Sequence, residues 1–140
     1  AWCRRMLIGA DEIVVVSAPD LASLRNARNL FEVLRSARPN DRMPRLVLNG
    51  VGMAKRPEIA VADFAKALDA PVAAVVPFEP ALFGTAANNG QMLAEVQPGA
   101  KATEILSELA GTLTGRAETR RGRSNLLEPL LARFARRKAS

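Results

Sequence analysis

The sequence has 140 residues, 49% of them hydrophobic and 24% charged, the balance of one globular domain and not of a disorder-dominated chain. Its net charge of +6 lies entirely in the tail, since residues 1–115 hold 12 Lys and Arg against 12 Asp and Glu and residues 116–140 hold 8 against 2; a neutral globular part argues against a broad basic face, and nucleic acid is not expected as a partner. No histidine means no imidazole acid–base chemistry, Ser-His triad or His-bound metal, the single Cys3 suits a reducing cytoplasm, and no apolar run approaches the ~20 residues of a membrane-spanning helix.

Residue 1 is Ala, and no charged-then-apolar leader follows it. Trp2, Met6, Leu7 and Ile8 around Arg4 and Arg5 read as the last turns of a helix that runs through Gly9, Ala10 and Asp11 into a strand, so the chain is expected to be a piece of a longer protein. Glu12 to Ser17 is a β-branched run suited to a strand covered on both faces, and Ala18, Pro19 and Asp20 end it. Asp20 can cap a following helix whose apolar face is Leu21, Leu24, Ala27, Phe31 and Leu34, opposite Arg25, Arg28, Glu32 and Arg35.

A second strand is expected from Arg45 to Asn49. Beyond a loop through Gly52, Lys55, Arg56 and Pro57, whose charges read as exposed, a helix places Val61, Phe64, Ala65 and Leu68 on one side. The third strand is Val72 to Val76. Leu82 to Ala94 reads as one short helix or two turns broken around Asn88, Asn89 and Gly90, and a last core helix from about Lys101 to Thr114 carries Ala102, Ile105, Leu106, Leu109 and Leu113 inward.

Strand, helix, strand, helix, strand with short connections implies an α/β fold, a parallel sheet between flanking helices in three layers. Ligands of such sheets sit beyond the carboxyl ends of the strands, where this chain places Asn49 after one strand and Pro77, Phe78 and Glu79 after the next. Asn49 offers a carbonyl and an amide group that can satisfy one donor and one acceptor on an adenine edge. Pro77 fixes the chain so that backbone groups around Phe78 and Glu79 can face a flat base, with Phe78 itself expected to be packed. No glycine-rich loop closing on Lys and Ser or Thr is present, so phosphate binding and hydrolysis by this chain alone are not expected, and no residue is assigned a catalytic role. Asp11 and Glu12, at a strand start, are expected to face away from the site.

Three stretches carry a family resemblance. Ala10, Asp11 and Glu12 with the Ile and Val run and Pro19, Asp20, Leu21, Ala22 and Ser23 resemble the strand and helix after the switch region of MinD and ParA deviant Walker ATPases. Leu46, Val47, Leu48 and Asn49 resemble that group's adenine-contacting strand. The run from Val76 through Pro80 and Ala81 to Phe83, Gly84, Thr85, Ala86, Ala87, Asn88, Asn89 and Gly90, with the loop from Lys55 to Ile59, is similar to the CpaE and TadZ pilus-assembly branch. The resemblance implies that residues 1–115 are the carboxyl-terminal half of a P-loop NTPase-like domain whose amino-terminal half, phosphate loop included, is not in this sequence. It further implies ATP as cofactor, with Mg in the complete parent protein, a homodimeric parent, pilus or secretion machinery as partners, and a cytoplasmic location, peripheral at the inner membrane. In that family the strand matching Glu12 to Ser17 lies beside the phosphate-loop strand, so here it should be an edge, with Arg45 to Asn49 in the middle. A localisation scaffold that acts only by protein contacts and a ParA-like DNA-partitioning protein are the alternatives.

Residues 116–123 form a basic linker, and 124–140 a basic amphipathic tail in which Leu126, Leu127, Leu130, Leu131 and Phe134 recur at helical spacing beside Arg133, Arg136 and Arg137. That pattern suits contact with an anionic membrane surface or a partner protein, with a disordered tail as the alternative, since Pro129 lets the helical part start only near Glu128.

Overall fold

The computed structural model describes residues 2–115. Nine elements follow one another: α1 (Trp2–Gly9), β1 (Val14–Ser17), α2 (Leu21–Ala37), β2 (Arg45–Val51), α3 (Val61–Leu68), β3 (Val72–Pro77), α4 (Pro80–Asn89), α5 (Leu93–Val96) and α6 (Lys101–Leu113). The three strands form one parallel sheet in the order β1-β2-β3. The expected arrangement therefore holds: β2 is central and β1 lies at an edge. The chain divides after Leu106 into two units, and the sheet belongs to the first.

Alternation along the strands decides the layers. Val15, Leu46 and Leu48 point to one face and pack with Ala27 and Phe31 of α2 and Phe64 and Leu68 of α3. Leu46, Leu48 and Phe64 have no exposed surface at all, so this face is the firm part of the core. Val47, Ala74 and Val76 point to the other face and are buried too. Leu82 and Ala86 of α4, Ala100, and Ala102 at the start of α6 are buried as well. The cover stops short of the edge strand: Val16, on this same face of β1, is 62% exposed.

Local signals explain most boundaries. The Asp20 carboxylate accepts from the Ser23 amide at 2.7 Å and caps α2. Gly90, in the left-handed region at φ 65°, closes α4, and α5 follows as a separate turn. Four expectations are corrected. The edge strand begins at Val14 and not Glu12, because the Glu12 carboxylate is drawn into ion pairs with Arg45 at 3.1 Å and Arg42 at 3.7 Å before strand pairing begins. Leu21 is 67% exposed; at 100° per residue it stands about 80° round the helix from Phe31 and misses the core. Leu106 is also exposed, one turn beyond the last buried residue of α6, Thr103. Asn49 does not end its strand, for β2 continues to Val51 through a bulge in which Gly50 takes φ 70°.

Candidate functional site

The carboxyl end of the sheet is assembled from three chain segments. Parallel pairing places Asn49 level with Val76 and Val51 level with Pro77, so the two strand ends expected to form a site do lie side by side. The Phe78 amide donates to the Val51 carbonyl at 2.8 Å, and the Ile59 amide donates to the Pro19 carbonyl at 2.8 Å. The loop after β2 is thus tied on one side to the end of β3 and on the other to the end of β1.

That loop is organised around one carboxylate. Glu58 accepts from the Gly52 amide at 3.0 and 3.1 Å, from the Met53 amide at 3.1 Å and from an Arg56 Nη2 at 3.0 Å. The same Nη2 donates to the Gly50 carbonyl at 2.6 Å. Hydrogen bonds from the Gly52 amide first, then from Arg56 and the Met53 amide, hold Glu58 below the usual glutamate range. Hydrogen bonds from Ser23, with Arg56 nearby, do the same for the capping Asp20. Lys55, left-handed at φ 62°, is exposed as expected. Arg56 is not: its side chain is only 25% exposed, because Glu58 and the Gly50 carbonyl draw it against the strand end. Its Nε is buried without a hydrogen-bond partner among the described residues.

The four residues singled out from the sequence are arranged differently. Asn49 is exposed, and among the described residues its side chain makes no hydrogen bond. Pro77 is the last residue of β3. Phe78, expected to be packed, is 40% exposed, one residue past the end of β3. Glu79 is half-buried and stands at the amino end of α4, with Pro80 in its first turn. Glu12, by contrast, lies at the amino end of β1 and is spent on Arg45, as its placement at a strand start led one to expect. Among the described residues no cluster of acidic and thiol groups could hold a metal, and no helix is long and apolar enough to cross a membrane. Leu130, Leu131, Phe134, Arg133, Arg136 and Arg137 lie outside the described residues.

No protein-family model and no curated protein matches the sequence. Solved structures do match. A chain of the MinC:MinD cell division protein complex of Aquifex aeolicus is 26% identical, with a TM-score of 0.63 over 76% of this chain and 43% of that one. The septum site-determining protein MinD of Pyrococcus horikoshii OT3, complexed with Mg-ADP, is 22% identical, with a TM-score of 0.64 over 74% of this chain and 41% of that one. A ParA family ATPase from Chlorobium tepidum TLS is 21% identical, with a TM-score of 0.61 over 76% of this chain and 42% of that one. The fold is that of the MinD and ParA ATPases. The chain spans less than half the length of each of these three, so what it shares is part of the MinD-like fold. Within that part, the carboxyl ends of β2 and β3 are where an open parallel sheet is expected to receive a ligand.

Proposed function

We propose that this chain supplies the adenine side of the nucleotide site of a MinD-like ATP-binding protein. The observation that carries the reading is the exposed amide of Asn49, without a hydrogen-bond partner among the described residues and level with Val76, the residue before Pro77, at the carboxyl end of neighbouring parallel strands. An exposed amide at that place can both donate to and accept from a purine edge. The neighbour holding Mg-ADP supports nucleotide as the ligand class. ATP, with Mg held by the parent's phosphate loop, is the proposed cofactor, and any hydrolysis belongs to the parent. The direct test is Asn49→Ala in the complete parent protein, where the loss of a base-edge partner should weaken ATP by about 1–2 kcal/mol; an unchanged affinity removes Asn49 from the site.

The finer reading rests on the resemblance of the run from Val76 to Gly90 to CpaE and TadZ: the parent positions a tight-adherence pilus or secretion assembly, as a homodimer in contact with that machinery. The tail, residues 124–140, is its proposed contact with an anionic membrane surface. Replacing Leu130, Leu131 and Phe134 by Ser should release the protein from anionic vesicles without moving the core's thermal transition; vesicle binding that survives the change sinks the amphipathic reading.

A scaffold acting by protein contacts is the second reading, and one surface favours it. A shallow groove is lined by Arg4 of α1 and by Asn29, Glu32, Val33 and Ser36 of α2, and Val33 is 52% exposed there. Loss of pilus or secretion assembly on changing Val33 to Glu, with ATP affinity intact, would favour the scaffold; loss on Asn49→Ala with that surface intact would favour nucleotide control.

A further inference from the structure

Two apolar stripes follow one another at the end of this chain. The first lies on α6, where Ile105, Leu109 and Leu113 fall within an arc of about 80° at 100° per residue. The stripes of α2 and α3 end in buried side chains, Phe31, Leu34, Phe64 and Leu68, whereas no residue of α6 after Thr103 is buried. Leu109 and Leu113 are left half-buried, and the chain turns beyond them at Gly115, left-handed at φ 71°. An amphipathic stripe that continues for two turns past the last buried residue has room for a partner.

The second stripe is Leu130, Leu131 and Phe134, within residues 116–140, which lie outside the described residues. Its spacing fits the first, since Leu130 and Phe134 are four apart, as are Leu109 and Leu113. Its charge is opposite. α6 carries Glu104 and Glu108 against Lys101, and the tail carries Arg133, Arg136, Arg137 and Lys138 against Glu128. Residues 116–127 are long enough to join them: twelve residues reach about 40 Å when extended, and packed helices stand only about 8–10 Å apart. That joining segment holds Arg116, Arg120, Arg121 and Arg123 and starts at the carboxyl end of α6, the end of a helix that attracts cations. Two stripes on one chain also meet at high effective concentration, so few apolar anchors suffice.

We propose that the tail folds back antiparallel on the last two turns of α6, setting Leu130 and Phe134 against Leu109 and Leu113 and its arginines beside Glu108. The tail is then a latch within the molecule. It uses the side chains that the membrane reading assigns to vesicle contact, so a docked tail is withheld from a membrane until it is released. The docking stands without that reading, and only the competition rests on it.

The test uses the full chain with Cys3→Ser and a nitroxide on Ala132→Cys, which is on the far side of the tail helix from Leu130 and Phe134. Amide signals from Glu108 to Leu113 should broaden, and the broadening should vanish when Leu130, Leu131 and Phe134 are replaced by Ser, with the thermal transition as a check of folding. No broadening in the first chain overturns the latch. Broadening equally strong when nitroxide and isotope are on different chains also overturns it and gives the stripe to a second copy. Leu109→Ser with Leu113→Ser should raise the affinity for phosphatidylcholine–phosphatidylserine vesicles on the order of tenfold, the factor expected where about nine tails in ten are docked. If that double variant does not fold, Glu108→Lys replaces it, since it keeps the apolar contact and should weaken the broadening. Broadening without vesicle binding by any form keeps the latch and brings down the membrane reading, whereas broadening with an unchanged vesicle affinity in the variant overturns the competition.

Discussion

The loop after β2 and the turn after β3 leave the same end of the sheet, joined by the Phe78 amide to Val51 carbonyl bond, yet they are held by different means. The first is a closed knot in which Glu58 collects two backbone amides and Arg56. The second is shaped by Pro77 and Pro80 and by backbone bonds, and among the described residues neither Phe78 nor Glu79 makes a side-chain hydrogen bond. One loop has used its polar groups to hold itself, whereas the other has kept its side chains free. A binding crevice needs both, a wall that does not move and groups that are not already satisfied.

The largest effect comes from removing what the two share. Leu48 is fully buried one residue before Asn49 and pairs with Ser17 on one side and Val75 on the other. Leu48→Ala should cost about 2–5 kcal/mol in a urea titration and loosen both loops together. A smaller loss should come from Gly50→Ala. A Cβ has room there, but φ 70° is unfavourable for alanine, and about 1–2 kcal/mol is expected from the backbone alone. If Gly50→Ala costs nothing, the bulge has another conformation in solution.

Glu58→Gln separates the two loops. Amide exchange should accelerate at Gly52 and Met53 and not in β3, because only the first loop loses a charged acceptor. The pH dependence has a definite sign. Glu58 titrates below its ordinary value in the folded chain, so its stabilisation is complete above the usual glutamate range and is lost as pH falls through the lower native value. Faster exchange at Gly52 as pH rises, after correction for intrinsic rates, would contradict this. The smallest effect is reserved for Glu79→Gln, which should leave the unfolding free energy in a urea titration unchanged within about 0.5 kcal/mol, since the carboxylate has no bonded partner among the described residues.

The sheet was legible in the sequence because its strands are short apolar runs and its helices repeat at threes and fours. Asp20 declared the start of α2, and Gly90 the end of α4, by chemistry local to each boundary. Glycine misled at position 50, where it prolongs a strand through a bulge instead of closing it. That Asn49 and Pro77 lie at neighbouring strand ends was legible because strand ends in a parallel sheet converge, whatever the side chains do. Arg56 was missed. Its burial depends on Glu58, and an Arg-Pro-Glu sequence in a loop has no periodicity to announce that the two side chains fold together over a glycine. Phe78 was misjudged for a related reason, since where the cover of a strand stops is set by other elements.

The strand order also bears on how this molecule comes into being. Each strand pairs with the next one in sequence, β1 with β2 and β2 with β3, so every crossover is a single helix with short connections. The entropy lost in closing such loops is modest, and no distant segment must be found before the first pairing forms. One βαβ unit can therefore serve as a template on which the next condenses, and β2, common to both units, is the natural nucleus. Slowed refolding of Leu46→Ala, together with little change in the refolding rate of Val76→Ala, would place the earliest structure between β1, α2 and β2.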